Sequence, residues 1–390
     1  MRDGWRETRL GDVATLIMGQ SPPGRSYNTE GRGLPFIQGS AEFGVHHPTP
    51  VKWCDAPRKL AQAGDLLVSV RAPVGDLNQA DRALAIGRGL AIVRGGGDAV
   101  TRFLSLAIEH RQRELRSRSG GGMFQSTTRD GIAGLSLLLP PLDEQRRIDD
   151  LIAAVDEEIG MAERIRTTAL NVYNSCARSQ LTRARATAPL LRLGDLSMSR
   201  LGKMLSGQSR TGPEGHPYLR NADVQWDLVK LDNLARMDFS PAEQVEFALK
   251  AGDVLICEGG EVGRAAVLDH DVPGVFFQKA IHRVRCGERL LPRFLMHYLR
   301  YCAANDLLGD LVTAQTIAHL TGEKLRLLEI PVLGIDDQVA AVALLDSALT
   351  LAGQAHSLAQ TTRAVRSALL SDLLSGHHEI PASYDDVMAK

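Results

Sequence analysis

The polar side chains that could contact another molecule are concentrated in glycine-containing stretches that are expected to form loops. Arginine, asparagine and glutamine present planar groups that pair with the edges of nucleic-acid bases, arginine with guanine and the two amides with adenine. In the first half of this 390-residue chain the candidates are Gln20, Ser21, Arg25, Gln38, Ser40, Arg71, Arg88, Gln125, Ser126 and Thr127. In the second half they are Gln208, Ser209, Arg210, Arg220, Asn221, Glu261, Arg264, Gln278, Lys279, Gln315 and Thr316. An ordinary solvated loop is the alternative for each residue taken singly.

Some candidates recur in both halves of the chain, and others do not. The recurring pair Gln20 and Gln208 suits phosphate contact or a loop framework, because identical side chains cannot by themselves read different bases. Positions that differ, such as Gln38 against Arg220, are better candidates for sequence discrimination. A further cluster follows a helical pattern and suits either a phosphate-contacting patch or a solvated face: Arg111, Arg113, Arg116 and Arg118.

The chain shows no pattern typical of a catalytic site. It lacks the N/D-P-P-Y/F tetrapeptide with which amino-methyltransferases hold a flipped adenine, and it lacks the G-x-x-x-x-G-K-[ST] loop that cradles nucleotide phosphates. The glycine-rich stretch 87–97 is expected to be a turn and a strand, because the strand–loop–helix order of a dinucleotide site is missing. His46-His47 and His377-His378 are poor metal sites, since neighbouring side chains point apart. The sequence therefore predicts no enzyme activity, metal or cofactor of the chain's own.

Composition and charge narrow the class of protein. Apolar residues make up 44% of the chain and charged residues 23%, as in globular proteins. The uncharged apolar stretches are too short to predict a bilayer-spanning helix, and residues 1–12 lack the apolar core of a signal peptide. Five widely spaced cysteines favour a reducing cytoplasm over a disulfide framework or a zinc site. A net charge of −1 argues against a DNA-binding protein that works alone.

The chain contains an internal repeat. Short matches return in the same order at offsets between 182 and 191 residues, among them RLGD (9–12 and 192–195), GQSPPG and GQSRTG (19–24 and 207–212), and AGDLLVSVRAPVG and AGDVLICEGGEVG (63–75 and 251–263). Their common order predicts two copies of one structural unit. In each copy, short β-rich runs such as 65–70 and 253–258 precede a helical pattern, which predicts a mixed α/β domain.

Each copy ends in a long helical pattern. In residues 143–185 the apolar or small residues recur at steps of three or four: Ile148, Ile152, Val155, Ile159, Ala162, Ile165, Ala169 and Val172. In residues 336–375 they are Val339, Val342, Leu345, Leu349, Ala352, Ala359, Val365, Leu369 and Leu373. A helix of about 40 residues is about 60 Å long, which is more than one α/β domain can cover. The two helices are therefore expected to pair antiparallel, and packing of each helix on its own domain is the alternative.

These observations together predict an α+β fold. We expect two homologous α/β domains separated by a pair of long antiparallel helices that form a coiled coil, with a pseudo-two-fold axis and the outline of a dumbbell. DNA offers matching targets, because half-sites on one face of the duplex recur roughly every 34–36 Å. The loops of the two copies differ while their frame is shared, which is expected if each copy reads a different sequence.

The combined pattern resembles the specificity subunit of type I restriction–modification systems over nearly the whole chain. The resemblance lies in the W-x-x-x-x-L-G-D opening (5–12), in the G-D-hydrophobic segments followed by V-G (64–75 and 252–263), and in the P-x-L-(x)-[DE]-x-Q start of each long helix. The two starts are PPLDEQ and PVLGIDDQ, and the second departs from the pattern by two inserted residues before Asp336.

The resemblance implies a division of the chain and a set of partners. Residues 1–140 and 188–331 would be target-recognition domains 1 and 2, residues 141–187 and 332–376 the spacer helices, and residues 377–390 a tail or a strap onto the first domain. Each domain would read one half of a bipartite, asymmetric DNA sequence. The subunit would be cytoplasmic and non-catalytic, and its free helix faces would dock two adenine-N6 methyltransferase subunits that use S-adenosylmethionine. Restriction subunits that use ATP and Mg²⁺ would join them in a complete restriction complex.

Two other interpretations stay open. A coiled-coil scaffold that binds proteins and does not read DNA would fit the near-neutral charge. An enzyme with an unfamiliar motif would transfer methyl groups to DNA without any partner, whereas a specificity subunit alone would not.

Overall fold

The computed structural model describes residues 4–117, 126–205, 215–309, 319–381 and 383–385. The chain forms two compact units. Unit 1 comprises Met1–Ala162 and Ser357–Lys390, and unit 2 comprises Glu163–His356. The mixture of helices and sheets confirms the predicted α+β class.

Unit 1 is organised around three sheets. Its strands are β1 (Arg6–Arg9), β2 (Ala14–Met18), β3 (Tyr27–Asn28), β4 (Leu34–Ile37), β5 (Lys52–Cys54), β6 (Leu60–Ala61), β7 (Leu66–Ser69), β8 (Leu77–Gln79), β9 (Leu84–Ile86), β10 (Leu90–Gly95) and β11 (Ser136–Leu139). They form a sheet of order β2-β10-β7-β8, a second of order β3-β5-β4-β9-β6, and the pair β1-β11. Its short helices are α1 (Leu10–Val13), α2 (Thr101–His110), α3 (Gln112–Ser117) and α4 (Arg129–Ala133).

Two long helices, each shared between the units, follow. They are α5 (Leu142–Thr187) and α10 (Ile335–Leu374). Both lie within the predicted spacer ranges 141–187 and 332–376. The sequence did not predict that the boundaries between the compact units fall inside both helices, so that each unit contains part of each one.

Unit 2 repeats the plan of unit 1. Its strands are β12 (Leu190–Arg192), β13 (Ser197–Leu201), β14 (Gly215–Leu219), β15 (Val224–Gln225), β16 (Leu228–Val229), β17 (Ala235–Asp238), β18 (Val254–Cys257), β19 (Ala265–Val267), β20 (Phe276–Phe277), β21 (Ile281–Cys286) and β22 (Glu329–Pro331). The sheet of order β13-β21-β18-β19 corresponds to β2-β10-β7-β8 of unit 1. Its short helices are α6 (Leu193–Leu196), α7 (Pro241–Glu246), α8 (Pro292–Ala304) and α9 (Gly322–Arg326).

The strands predicted at 65–70 and 253–258 are confirmed as β7 and β18. All four residues of each strand are buried. Apolar runs without alternation are expected where both faces of a strand are covered. The stretch 87–97 is confirmed as a turn followed by β10.

Within unit 1, the first part of α5 runs antiparallel to the last part of α10. Ile148 and Ile152 share a core with Leu373. Further along α5, Asp156 pairs with Arg366, which precedes Leu373 on α10. Later residues of α5 contact earlier residues of α10, so the two helices run antiparallel in unit 1, as the sequence predicted.

The predicted apolar stripes of the long helices are only partly correct. Ile165 and Val172 of α5 are 40% and 47% exposed, and in α10 Val339 and Val365 are likewise exposed. In unit 2 the buried residues of α5 include Tyr173 instead of Val172. The buried face shifts because an α-helix drifts relative to a strict seven-residue repeat, and the contacts available in each unit decide which position is covered.

The sequence predicted no segment long and apolar enough to span a membrane, and helix α10 corrects that expectation. By length and composition it is apolar enough to cross a membrane. Leu345 is nevertheless fully buried in the core of unit 2, and Asp346 accepts hydrogen bonds from Arg293 and His297 in the same unit. These contacts are those of a helix packed within a folded domain.

Residues that follow α10 fasten onto unit 1, as the strap alternative predicted. Ile380 is buried in the unit 1 core, against which Tyr384 also packs. Arg147 of α5 donates to both carboxylate oxygens of Asp385 at 2.8 and 2.7 Å. Gly376 turns the chain with a φ of +73°, a conformation that favours glycine.

Candidate nucleic-acid interface

In unit 1 a backbone ladder brings loops that carry the candidates to one edge. The Gln20 N–H, two residues after β2, donates to the Ile86 carbonyl at 3.2 Å. The Gly89 N–H donates to the carbonyl of Gln38 at 3.2 Å. Residues 20 and 38 are thereby placed at the turn between β9 and β10, which carries Arg88.

The same ladder continues to the segment before α4. The Val70 N–H donates to the Gly89 carbonyl, and the Thr127 N–H donates to the Val70 carbonyl, both at 2.9 Å. Arg71 and Ser126 form an isolated β-bridge. We call the group Gln20, Gln38, Arg71, Arg88 and Ser126 the unit 1 edge.

Close backbone approach at this edge requires glycine. A Cβ atom on Gly19 would lie 2.1 Å from the carbonyl oxygen of Gly87, and one on Gly89 would lie 2.4 Å from that of Gln38. Any other residue at either position would push the loops apart. Gly19 and Gly89 therefore allow the loops of the unit 1 edge to approach each other closely.

The remaining unit 1 candidates have other surroundings. Thr127 is buried, so it belongs to the framework of the edge. The buried Ser21 hydroxyl has no hydrogen-bond partner among the described residues. Arg25 lies in a 3-10 turn, and Ser40 lines a separate cleft beside α2. Gln125 lies outside the described residues.

Unit 2 builds a corresponding edge from a corresponding ladder. The Lys203 N–H, two residues after β13, donates to the Phe277 carbonyl at 3.0 Å, and the Lys279 N–H donates to the Lys203 carbonyl at 2.8 Å. Gly259 and His319 form a β-bridge like that of Arg71 and Ser126. We call the group Lys203, Gly259, Gln278, Lys279 and His319 the unit 2 edge.

A cavity of about 620 Å³ opens along the unit 2 edge. Its lining includes Met204, Leu205, Glu258, Gln278, Lys279 and His319. The buried His282 donates from Nε2 to the carbonyl of Leu320, the residue after His319, at 2.8 Å. Burial lowers the pKa of His282, so a neutral ring anchors the chain next to His319.

Three unit 2 candidates are engaged within the unit. Arg220 donates from Nε and Nη2 to the Asp223 carboxylate at 2.8 and 2.9 Å, and this hydrogen bonding raises the pKa of the guanidinium. Asn221 donates from Nδ2 to the Gly259 carbonyl at 2.9 Å. Arg264 donates to the Asn221 carbonyl at 2.8 Å. These side chains hold the loops behind the edge.

Further candidates fall on parts of the chain that lie outside the described residues: Gln208, Ser209, Arg210, Gln315 and Thr316. Leu205 and His319, which are the described neighbours of these two stretches, both line the cavity of the unit 2 edge. Glu261 accepts a hydrogen bond from the Trp226 indole.

The ladders revise the correspondence between the two copies. Gln20 and Lys203 make the same backbone hydrogen bond to the end of β9 or β20, so Lys203 corresponds to Gln20 at this point of the fold. Ser126 forms a β-bridge with Arg71, two residues after β7, and His319 forms one with Gly259, two residues after β18, so Ser126 corresponds to His319. Sequence matching paired Gln20 with Gln208 instead, because the loop lengths of the two copies differ. Lys203 was missed for that reason. Its Nζ donates to Glu243 at 2.7 Å and to the Asp238 carbonyl at 2.8 Å, so this side chain belongs to the framework of the edge.

Each long helix is fastened to its domain by one buried glutamine. Gln145 of α5 accepts the Val100 N–H at 2.8 Å and donates to the carbonyls of Asp98 and Pro140, both at 2.8 Å. The side chain is fully buried. All its hydrogen bonds reach the start of α2 and the end of β11, so Gln145 fixes where α5 leaves the domain.

Gln338 does the same for α10 in unit 2. It accepts the Leu291 N–H at 2.9 Å and donates to the carbonyls of Arg289 and Leu333 at 2.9 and 3.0 Å. Both glutamines belong to the [DE]-x-Q helix starts that carried the resemblance. The sequence pattern contains the glutamine, and the structure shows the hydrogen bonds by which it fastens the helix to its domain.

The described residues contain no group of three or more His, Cys, Asp or Glu side chains that could hold a metal ion. All five cysteines are free thiols. Burial raises the pKa of Cys286 and Cys302 to about 12, so neither is a thiolate near neutral pH. The edges therefore offer hydrogen-bond donors, acceptors and positive charge.

The fold is that of type I restriction–modification S subunits. The S subunit from M. genitalium matches with a TM-score of 0.65 at 14% identity, covering 95% of this chain and 96% of that one. A chain from a structure of a type I R-M system matches with a TM-score of 0.60 at 19% identity, covering 96% and 98%. At these identities the likeness concerns the fold.

Sequence comparison matches the first part of the chain to a family. The model of the type I restriction modification DNA specificity domain matches residues 2–169. A protein described as the type I restriction enzyme MjaX specificity subunit of Methanocaldococcus jannaschii is 40% identical over 160 residues, which span 40% of this chain and only 38% of that protein. Residues 2–169 therefore match the type I DNA specificity domain family, and this match agrees with the resemblance over that part of the chain.

Proposed function

We propose that the chain is the DNA-specificity subunit of a type I restriction–modification complex and that each unit reads one half of a bipartite, asymmetric DNA sequence. The observation that carries this proposal is the pair of edges, which share a backbone ladder and differ in side chains. Corresponding positions carry Arg71 and Gly259, Arg88 and Lys279, and Ser126 and His319. A shared frame with different side chains is expected when two modules read different bases.

The proposal includes partners that carry out the chemistry. Two adenine-N6 methyltransferase subunits would use S-adenosylmethionine, and restriction subunits would use ATP and Mg²⁺, in the cytoplasm. The chain itself would be non-catalytic. Positive surface from the partners would offset its net charge of −1 around the DNA.

The long helices offer a surface for these partners. On α10 exposed apolar residues recur every seventh position, at Leu344, Leu351, Leu358 and Val365. Each unit thus has two exposed apolar residues one heptad apart on the same side of the helix, Leu344 and Leu351 in unit 2 and Leu358 and Val365 in unit 1, which suits apolar contact with a partner. We propose that the methyltransferase subunits dock on these residues.

The test is to co-express the chain with its methyltransferase subunits and to map N6-methyladenine in the host genome. The expected result is a split consensus sequence with two specified halves. Arg88→Ala in unit 1 should relax one half of the consensus, and Lys279→Ala in unit 2 should relax or weaken only the other. Arg58→Ala and Lys250→Ala, at exposed positions away from the edges, are the matched controls.

Three results would contradict the proposal. Methylation without any consensus would favour the protein-binding scaffold, which the near-neutral charge also fits. Methyl transfer by the isolated chain with S-adenosylmethionine would show an enzyme. If both edge variants altered the same half of the consensus, the assignment of one half to each unit would be wrong.

A further inference from the structure

Glu258 places an acidic side chain beside the unit 2 edge. It directly follows β18 and lines the cavity of about 620 Å³ that opens along this edge, together with Gln278 and Lys279. An ionised carboxylate offers only hydrogen-bond acceptors, whereas contact with DNA phosphates requires donors or positive charge. Phosphate contact therefore does not explain Glu258.

The Glu258 carboxylate is unpaired within the part of the chain that the structure describes. The main chain of Glu258 is engaged, but neither a hydrogen bond nor an ion pair reaches its carboxylate, and none joins it to Lys279. His282 does not neutralise it either. Burial lowers the pKa of that histidine more than the charge of Glu258 raises it, so the ring is neutral. The carboxylate can therefore accept a hydrogen bond from another molecule.

Glu258 and Val70 of unit 1 hold the same place in the two backbone ladders. The Glu258 N–H donates to the Ala280 carbonyl at 2.9 Å, and the Glu258 carbonyl accepts the Leu320 N–H at 2.8 Å. Val70 makes the corresponding two hydrogen bonds in unit 1, both at 2.9 Å. Val70 is only 3% exposed and belongs to the unit 1 core. A carboxylate at a core position of the shared fold costs free energy unless water or a donor reaches it.

The major groove of DNA limits what a carboxylate can contact. Guanine and thymine present only hydrogen-bond acceptors there, and these repel a second acceptor. Adenine presents its 6-amino donor next to the N7 acceptor, which repels the second carboxylate oxygen. Cytosine presents its 4-amino donor with no neighbouring acceptor. Cytosine is therefore the base that best suits an ionised carboxylate.

We propose that Glu258 specifies a cytosine in the half of the DNA sequence that unit 2 reads, by accepting a hydrogen bond from the 4-amino group. This inference rests on the proposed function and adds to it one base and the residue that reads it. Lys279 in the same cavity offsets the repulsion between the carboxylate and the DNA phosphates. Because unit 1 has Val70 at the corresponding place, this requirement applies to one half of the sequence.

The first test removes the 4-amino group from the DNA and leaves the protein unchanged. In duplexes that carry the mapped consensus, each cytosine is replaced in turn by 2-pyrimidinone, which is cytosine without that group. The readout is the initial rate of N6-adenine methylation by the chain assembled with its methyltransferase subunits, at DNA concentrations below saturation. At one position, in the half that Lys279→Ala relaxes, the rate should fall by about ten-fold or more.

Variants at Glu258 assign that effect to this residue. Glu258→Val introduces the residue of unit 1, and its complex should not distinguish the cytosine duplex from the pyrimidinone duplex at that position. Glu258→Gln supplies one donor and one acceptor, as adenine requires, so the preferred base should change from cytosine to adenine. Glu288→Gln, at an exposed position beyond the far end of β21, is the matched control and should keep the wild-type preference.

Three results would overturn the inference and leave the proposed function intact. They are a unit 2 half-site without a C·G pair, a wild-type rate that no removal of an amino group lowers, and an unchanged cytosine preference in Glu258→Gln. If Glu258→Val does not fold, the nearly isosteric Glu258→Gln carries the assignment. Methylation without any consensus would overturn both the inference and the proposed function.

Discussion

Replacing Gln145 with methionine tests whether one buried amide fastens α5 to its domain. Methionine has nearly the shape of glutamine, so the substitution removes three hydrogen bonds without opening a large cavity. The Val100 N–H and the buried Pro140 carbonyl are left without their partner. Each lost bond costs about 1 kcal/mol net, and orphaned buried groups cost more, so we expect a loss of about 2–4 kcal/mol in the free energy of unfolding.

Urea denaturation followed by far-UV circular dichroism measures this loss. With a slope of about 2–3 kcal/mol/M, the transition of unit 1 should move down by about 1 M. Hydrogen exchange at the Val100 amide should accelerate as well, because that N–H loses its acceptor. Gln338→Met should have the corresponding effect on unit 2.

The matched control is Gln360→Met, at an exposed position of α10 within unit 1. A surface substitution of this kind should change stability by no more than about 0.5 kcal/mol. If Gln145→Met behaved like this control, the buried amide would not be what holds α5 to the domain.

Three further predictions concern charge. Burial alone would raise the pKa of Asp346, but hydrogen bonds from His297 and Arg293 lower it to about 2. The ionised carboxylate therefore stabilises the fold fully above about pH 4, and this contribution is lost as the pH falls towards 2. Asp346→Asn should flatten the dependence of the unfolding free energy on pH over that acid range. Arg366→Met should lower the unfolding free energy by about 1–3 kcal/mol in thermal or urea melts, because two carboxylates lose their common cation, and an unchanged melt would contradict this. If Lys279 contacts a phosphate, Lys279→Ala should reduce the slope of log K against log[salt] for DNA binding by the assembled complex by about one, and an unaltered slope would exclude that contact.

The elements that the sequence predicted are those with a strong local signal. The strands β7 and β18 were predictable because each is a mostly apolar run that directly follows a Gly-Asp pair. The long helices were predictable from their periodicity. The periodicity could not show that Ile165 and Val172 are exposed, because that depends on which side chains of unit 2 cover the helix, and those contacts lie far away in sequence.

The candidate site was harder to predict because polarity does not distinguish a contact residue from a framework residue. Arg220 and Asn221 have the right chemistry for base contact, yet one is bound to Asp223 and the other to the Gly259 carbonyl. The second partner lies 38 residues away in sequence. Lys203 escaped notice because only strand register shows that it corresponds to Gln20.

The chain order of unit 1 has a consequence for synthesis on the ribosome. Residues up to Ala162 emerge first, but their unit is completed only when Ser357 and the residues after it arrive. The interval is about 200 residues, or roughly 10–40 s at 5–20 residues per second. Glu163–His356 is continuous and can finish folding earlier, so the nascent first domain waits with apolar residues such as Ile148 and Ile152 uncovered. Cotranslational chaperone binding should concentrate on that waiting surface.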